Sequence, residues 1–180
     1  MHTSCNAARL PDSFRVTIEP IGQATFVLRT EQRFPVPRIR AFSFFEDPRN
    51  LFSITPEWLD FRMHGTAAPP VVSEGVEFDY HIRWLGIKMP WKSRIVNYRP
   101  PEEFTDIQLQ GPYRSWQHTH RFACIEQGTF MTDEVRYCLP FSCMGTLVHT
   151  LFIKRQLLDI FCFRAAKIRE WVSKQENTLR

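Results

Sequence analysis

Residues Glu102 to Pro140 read EEFTDIQLQGPYRSWQHTHRFACIEQGTFMTDEVRYCLP, and the alternation within this stretch decides the fold. Three runs in it place successive side chains on opposite sides, which is the period of a β-strand. The first two runs are separated by Gly111-Pro112-Tyr113, and the last two by Glu126-Gln127-Gly128. Because Gly and Pro interrupt regular structure, the stretch predicts an antiparallel meander of three strands.

The middle run of the meander carries two histidines on one face. Residues Trp116, His118, His120 and Phe122 share this face at every second position. Turns centred on 111–113 and 126–127 place an aspartate opposite each histidine, with the Cβ atoms about 4.5–5.5 Å apart. A register slip of one residue would move all of these side chains to the other face. The predicted pairs are Phe104–His120, Asp106–His118, Gln108–Trp116, Phe122–Met131, His120–Asp133, His118–Val135 and Trp116–Tyr137.

Two histidine–aspartate pairs among aromatic neighbours allow three interpretations. Ligand pockets are mostly apolar with a few placed polar groups, so the face fits the lining of a cavity. Buried polar groups need partners, so the pairs also fit a purely structural role. An imidazole held by a carboxylate is the arrangement of a general base. The candidate catalytic residues are therefore His118, His120, Asp106 and Asp133.

The same four residues form a feasible set of metal ligands. A metal site also needs an entry path and outer contacts that hold its ligands, and the sequence shows neither. We therefore predict no metal and no cofactor.

The composition is that of a globular domain rich in aromatic residues. The chain has 180 residues and a net charge of +4, and 14% of it is aromatic, including 16 Phe. Its basic residues are spread along the chain, so we predict no nucleic-acid partner. Five cysteines without a CxxC pair indicate free thiols in a reducing cytoplasm.

The sequence contains no targeting or membrane segment that we recognise. Its N-terminus lacks the apolar core of a signal peptide, and no run approaches the roughly 18–20 apolar residues of a membrane span. We therefore predict a cytoplasmic protein with no integral membrane segment. The oligomeric state is left open.

Outside the meander, strand patterns alternate with two short helices. The helices are predicted at residues 38–46 and 48–52, the second with Asp47 as its N-cap and Pro48 in its first turn. Period-two strands are predicted at residues 14–18, 24–30, 58–63, 75–85 and 90–98.

The C-terminal segment predicts one long helix that begins near residue 144 and ends near residue 175. About 30 residues at 1.5 Å each span about 45 Å, so a broad sheet is needed to cover its apolar stripe. The stripe consists of Met144, Leu147, Val148, Leu151, Leu158, Phe161, Ala165, Ile168 and Val172.

Together these elements predict an α+β fold in which a curved antiparallel sheet of six to seven strands wraps the long C-terminal helix. Two short helices follow the first strand. Residues 23–176 form the single domain, and residues 1–22 are a partly ordered N-terminal extension. The gap between sheet and helix is the predicted binding site, lined by Phe78, Tyr80, Ile82, Trp84, Trp91, Phe104, Asp106, Gln108, Trp116, His118, His120, Phe122, Met131, Asp133, Tyr137, Leu151, Leu158 and Phe161.

This layout resembles the helix-grip fold of the START-like superfamily, and more closely its bacterial SRPBCC ligand-binding proteins. The resemblance covers about residues 23–172 and implies a cytosolic protein with a hydrophobic cavity, as in polyketide cyclases and coenzyme Q-binding proteins. It implies no active site, because carriers and enzymes of the superfamily share the scaffold and differ in the pocket. The motifs that carry it are Phe45–Leu51, Thr55–Leu59, Gly111–Tyr113, Trp116, His118, His120, Phe122, Gly128, Thr129, Asp133, Tyr137, Pro140, Arg155 and Ile160–Arg164.

One position departs from the subfamily pattern. Its proteins usually have Pro-Phe-Gly before the last helix, whereas this chain has Pro140-Phe141-Ser142. The departure implies a less tightly turned entry into that helix.

Three functions follow from these observations. The first is binding of a mostly apolar small molecule such as a lipid, a quinone or a polyketide-like aromatic. The second is an enzyme of the cyclase, dehydratase or hydrolase kind that uses a histidine–aspartate pair. The third is a protein-interaction module without a ligand, which an exposed aromatic patch would favour. We predict the first, with a hydrophobic small molecule as the partner.

Overall fold

The computed structural model describes residues 14–63, 71–140 and 142–178. A 3₁₀ turn at Glu57–Leu59 and a π turn at His149–Ile153 accompany the strands and α-helices of this part of the chain. In chain order the strands and helices are β1 (Phe14–Gly22), β2 (Thr25–Phe34), α1 (Arg38–Glu46), α2 (Pro48–Ser53), β3 (Arg62–Met63), β4 (Glu77–Trp84), β5 (Ile87–Arg99), β6 (Glu103–Gln110), β7 (Ser115–Ile125), β8 (Gly128–Cys138), α3 (Ser142–Val148) and α4 (Lys154–Thr178).

The described residues form one eight-stranded sheet in the order β1-β2-β8-β7-β6-β5-β4-β3, with every neighbouring pair antiparallel. The predicted count of six to seven strands was therefore too low. The predicted strand at 14–18 is confirmed as part of β1, which pairs with β2 from Phe14 to Gly22. The two short helices consequently follow β2 and not the first strand, which corrects the predicted order.

The weak signal of β1 has a local cause. Its alternation ends at Ile18, because Glu19 and Pro20 follow, and both are exposed. Proline cannot donate a ladder hydrogen bond and is tolerated in edge strands, which is where β1 lies. Residues 1–13, the rest of the predicted N-terminal extension, lie outside the described residues.

Strand β3 is shorter than the strand predicted at 58–63. Residues Glu57–Leu59 form the 3₁₀ turn instead, and Asp60 ends it with a left-handed backbone conformation at φ 45° and ψ 45°. Only Arg62 and Met63 remain to pair with β4.

The meander has the predicted register. Asp106 lies opposite His118, Phe104 opposite His120, and His120 opposite Asp133. The pairs Phe122–Met131, His118–Val135 and Trp116–Tyr137 are also formed. The predicted pair Gln108–Trp116 is absent from the ladder, which ends at Ile107 opposite Gln117. Instead, Gln108 Nε2 donates a hydrogen bond of 2.7 Å to the backbone oxygen of Tyr113 and closes the turn.

Helix α4 packs along the sheet, and two groups of buried side chains fill the space between them. In one group Leu157 and Phe161 of α4 pack with Phe26 and Leu28 of β2. In the other, Ile168 packs with rings from β6, β7 and α1. The cavity described below lies between the sheet, α2 and α4.

The apolar stripe predicted for the last helix was wrong in its first third. Met144, Leu147 and Leu151 are 64%, 60% and 57% exposed. The prediction assumed 3.6 residues per turn throughout, whereas the π turn at residues 149–153 widens the helix and shifts its phase. The positions that are buried recur every fourth residue, at Gly145, His149, Ile153, Leu157, Phe161 and Ala165.

The prediction of free thiols holds for two of the described cysteines and fails for a third. Cys124 and Cys138 are free, but Cys162 is disulfide-bonded.

In the described part of the chain, no helix is both long and apolar enough to cross a membrane.

Candidate functional site

A cavity of about 180 Å³ opens between the sheet and α4. Cavity volumes near 150 Å³ accommodate a molecule of the size of benzene. Most of its walls are aromatic or aliphatic, and their rings pack against one another. Trp91 stacks on Tyr80 with 6.2 Å between ring centroids, and its edge meets Trp116 at 5.3 Å. The cavity therefore has a size and a lining that suit one substituted aromatic ring.

Eleven of the residues predicted to bind a ligand line this cavity. They come from β4, β5, β6, β7 and α4, so elements distant in sequence converge on one space. They are Phe78, Tyr80, Ile82, Trp84, Trp91, Phe104, Asp106, Trp116, His118, His120 and Phe161.

The other seven predicted residues lie outside the lining. Gln108 closes the β6–β7 turn, and Leu151 is exposed because of the helix phase. Phe122 and Met131 are buried below the cavity floor beside α1. Asp133 lies behind the two histidines. The remaining two are Tyr137, fully buried against the last helix, and the half-buried Leu158.

Asp106, His118 and His120 belong to the polar end of the cavity. His118 Nδ1 lies 3.6 Å from Asp106 Oδ1, and the two imidazole centroids are 3.9 Å apart. Both histidines are buried, at 4% and 5% exposure. Their backbone positions follow from the strand period, because residues two apart on β7 face the same side.

Asp133 supports both imidazoles from behind. Its Oδ1 lies 3.3 Å from His118 Nε2 and 2.6 Å from His120 Nδ1, and its Oδ2 accepts a 2.9 Å hydrogen bond from Thr30 Oγ1. Burial would raise the pKa of Asp133, but the neighbouring His120 and His118 hold it below its usual range. The carboxylate is therefore ionised and fixes the orientation of the histidines.

Burial shifts the pKa of several groups that face the cavity. Burial lowers the pKa of His120 to about 4, with the neighbouring His118 acting in the same direction. Burial also raises the pKa of Asp106 and that of Tyr80. Desolvation disfavours the charged form of each group, which is the general effect of a low-dielectric site.

Arg164 is the main functional candidate that sequence reasoning missed. Its guanidinium lines the same cavity, with Phe161 5.5 Å below it. Burial lowers its pKa, whereas the charges of Asp133 and Asp106 act against that shift. A signal was present, because Arg164 lies three residues after Phe161 and four before Ile168, in the middle of the apolar stripe.

The short helices supply another part of the lining that the sequence did not predict. Side chains of α1, α2 and the turn after them close one side of the cavity. The two helices are too short for an amphipathic pattern to show which face is buried. These residues are Phe44, Phe45, Pro48, Leu51, Ile54, Thr55, Leu59 and Phe61.

A second buried polar contact lies outside the cavity lining. His149 Nε2 and the Tyr137 hydroxyl are 2.8 Å apart, and the His149 ring stacks on Phe26 at 3.5 Å between centroids. Burial lowers the pKa of His149 to about 4, and Lys154 acts in the same direction. His149 was missed because the 3.6-residue stripe does not include position 149.

Comparisons with known proteins identify a fold. No protein-family model and no curated protein match the sequence. Protein Ms6760 from Mycobacterium smegmatis is 16% identical, with a TM-score of 0.59 over 89% of this chain and 99% of its own. A protein from Arthrobacter aurescens is also 16% identical, with a TM-score of 0.60 over 87% of this chain and 91% of its own. TTHA0849 from Thermus thermophilus is 16% identical, with a TM-score of 0.61 over 83% of this chain and 98% of its own. At these identities the likeness shows the fold alone.

Proposed function

We propose that this chain binds a small, mostly apolar molecule in the cavity between its sheet and α4. The single observation that carries the proposal is an aromatic cavity of about 180 Å³ with four polar groups at one end. The walls exclude water from a ring, and Asp106, His118, His120 and Arg164 orient a hydroxyl or carbonyl oxygen on it.

The cavity volume narrows the ligand classes. A lipid or a long-chain quinone exceeds 180 Å³, so only part of such a molecule would be enclosed. A single aromatic ring buries about 200 Å² of apolar surface, worth about 5 kcal/mol at 25 cal/mol per Å². That free energy corresponds to a Kd of about 0.2 mM before any polar contact contributes.

We further propose that the chain is a START-like helix-grip protein of the SRPBCC kind. The support is a long C-terminal helix packed on an antiparallel sheet, with two short helices between β2 and β3. The cavity between these elements is the place where that scaffold holds its ligands.

Binding of phenols of increasing chain length tests the proposal. Trp84, Trp91 and Trp116 line the cavity, so an occupant changes tryptophan fluorescence. We expect affinity to rise from phenol to 4-propylphenol and to level off at 4-octylphenol, because the cavity encloses little beyond a ring and a short chain. Absence of any fluorescence change across the series would contradict the proposal.

A matched pair of variants locates the binding. Ser93 is 3% exposed and lines the cavity, so Ser93→Phe fills it and abolishes the response. Ser43 is exposed on α1, so Ser43→Phe leaves the response unchanged. Thermal melting of both variants checks that each one folds. Equal binding by the two variants would place the phenols elsewhere.

A second candidate function is acid–base catalysis on the bound molecule. It is favoured by the access of His118 and His120 to the cavity with Asp133 behind them. In that role a histidine takes a proton from the substrate or from water, and Asp133 holds its tautomer. Hydrolysis of p-nitrophenyl acetate and butyrate provides the test, with a loss of about 100-fold expected in His118→Gln and in His120→Gln. Equal rates in both variants and the parent chain would contradict this candidate.

A further inference from the structure

We propose that Asp106, His118 and His120 form a site for a divalent transition-metal ion, with Asp133 as the outer carboxylate that orients both imidazoles. One donor atom from each of the three residues lies within 4.8 Å of the other two. The residues face one another across β6 and β7, and all three line the cavity. The inference does not depend on an apolar ligand, because it concerns the polar end of the cavity alone.

The separation between one pair of donors is close to that of a metal centre. His118 Nδ1 and Asp106 Oδ1 are 3.6 Å apart, which is long for a hydrogen bond. Two ligands at tetrahedral angles with bonds of 2.0–2.1 Å lie about 3.4 Å apart. Small side-chain rotations would therefore bring the three donors around one ion.

The contacts behind the histidines are those that a metal site requires. A metal-ligating histidine normally donates its second ring N–H to a carboxylate, which fixes the tautomer. Asp133 Oδ1 lies beside both second nitrogens, 3.3 Å from His118 Nε2 and 2.6 Å from His120 Nδ1. These contacts leave His118 Nδ1 and His120 Nε2 as the metal-binding nitrogens. Thr30 in turn holds Asp133 with a hydrogen bond of 2.9 Å.

The contact between His120 and Asp133 is close but irregular in geometry. Its Nδ1 is fully buried and forms no regular hydrogen bond, although Asp133 Oδ1 is only 2.6 Å away. Buried polar atoms in native structures are nearly always hydrogen-bonded. A metal ion on the opposite nitrogen would pull the ring and let Nδ1–H align with Asp133.

Ligand types and charge define the class of ion. Two imidazoles and one carboxylate suit Zn²⁺, Fe²⁺, Co²⁺ or Ni²⁺, whereas Mg²⁺ and Ca²⁺ prefer oxygen ligands. Two carboxyl groups, Asp106 and Asp133, lie beside the imidazoles, so the donor set suits a cation and not an anion. Arg164 lines the same cavity, and its positive charge opposes that of the ion.

The test is a titration of the full chain with Co²⁺ after chelator treatment, without any organic ligand. We expect one Co²⁺ per chain, visible d–d absorption bands and competition by Zn²⁺. Asp106→Ala and His120→Ala abolish these bands, and Asp133→Asn weakens Co²⁺ binding about 10–100-fold. His81→Ala, on β4 and outside the cluster, leaves binding unchanged.

Three results would overturn the proposal. They are less than a stoichiometric amount of bound metal, a thiolate charge-transfer band that identifies cysteine ligands, and equal Co²⁺ affinity in Asp106→Ala and the parent chain. Circular dichroism and thermal melting check the folding of each variant. If His120→Ala does not fold, the isosteric Asp106→Asn and Asp133→Asn variants decide the question.

Discussion

Asp133 is the residue on which the buried histidines depend. It contacts His118, His120 and Thr30, and its own side chain is 12% exposed. Removing the carboxylate leaves three buried polar groups without an acceptor, each worth about 1–3 kcal/mol. We expect Asp133→Ala to lower the free energy of unfolding by about 3 kcal/mol or more, measured by urea denaturation. Asp79→Ala, at an exposed position of β4, should change it by less than about 0.5 kcal/mol.

His149 predicts a pH dependence of stability. Its folded pKa is about 4, below the ordinary value of 6.5. The unfolded chain therefore binds a proton in this window while the folded chain does not, and stability is lost as the pH falls from 6.5 toward 4. The shift amounts to roughly 3 kcal/mol. Urea denaturation at pH 7.5 and 5 should show a smaller loss in His149→Gln than in the parent chain, and an equal loss would contradict this account.

At the level of single residues, the sequence predicted the cross-strand residue pairs well. It did not predict single polar residues in the cavity that have no strand partner, such as Arg164. The contact of Asp133 with His120 follows from the strand period and two turns, which fix the register without tertiary information. Arg164 does not follow from such a rule, because a charged residue in a helix is usually assigned to the solvent face. Its position within the apolar stripe was the available signal.

At the level of the elements, the last helix departs most from the burial that its sequence predicts. Leu157 is 3% exposed in the core, whereas Leu151, nearly two turns earlier, is 57% exposed. We expect Leu157→Ala to lower the free energy of unfolding by about 3 kcal/mol and Leu151→Ala to lower it by less than about 0.5 kcal/mol. Chemical denaturation measures both. A larger loss for Leu151→Ala would restore the stripe that the sequence predicts.

Strands were predicted more accurately than the last helix because their period is less sensitive to local insertions. A strand side chain has only two directions, so the predicted faces of β4 and β7 agree with the inward positions of Phe78 and His118. A helix accumulates any departure from 3.6 residues per turn along its length. No local sequence pattern in this chain predicts the π turn. It becomes evident only in the structure, where His149 is buried.

At the scale of the whole molecule, strand β1 packs against the core ahead of the predicted domain boundary at residue 23. Phe14 is 5% exposed, and Val16 and Ile18 pack against the same core group. Deleting residues 1–22 removes these contacts, and we expect a loss of about 4 kcal/mol in the free energy of unfolding. Thr17→Ala, at an exposed position of β1, is the control and should have little effect. Full stability of the truncated chain would support the predicted domain of residues 23–176 instead.

The architecture of the whole molecule was predictable in outline because hydrophobic periodicity carries it. The α+β class, the antiparallel strands and the long C-terminal helix follow from patterns of two and 3.6 residues. The lining of the cavity could not be predicted completely from these patterns, since the part formed by α1 and α2 depends on how short helices pack. Phe44 and Leu51 contribute to that wall without any strong local pattern.

The π turn at residues 149–153 contains one residue more than an ordinary helical turn. This extra residue, and not the residue types, decides which side chains of the preceding segment are exposed to solvent. A chain one residue shorter at this place would wind with ordinary spacing, and the segment 142–148 would rotate by about 100° around the axis. The apolar face of this segment would then pack against the core, and another face would be exposed to solvent. A single-codon deletion would thus reshape this end of the molecule while leaving the cavity chemistry intact.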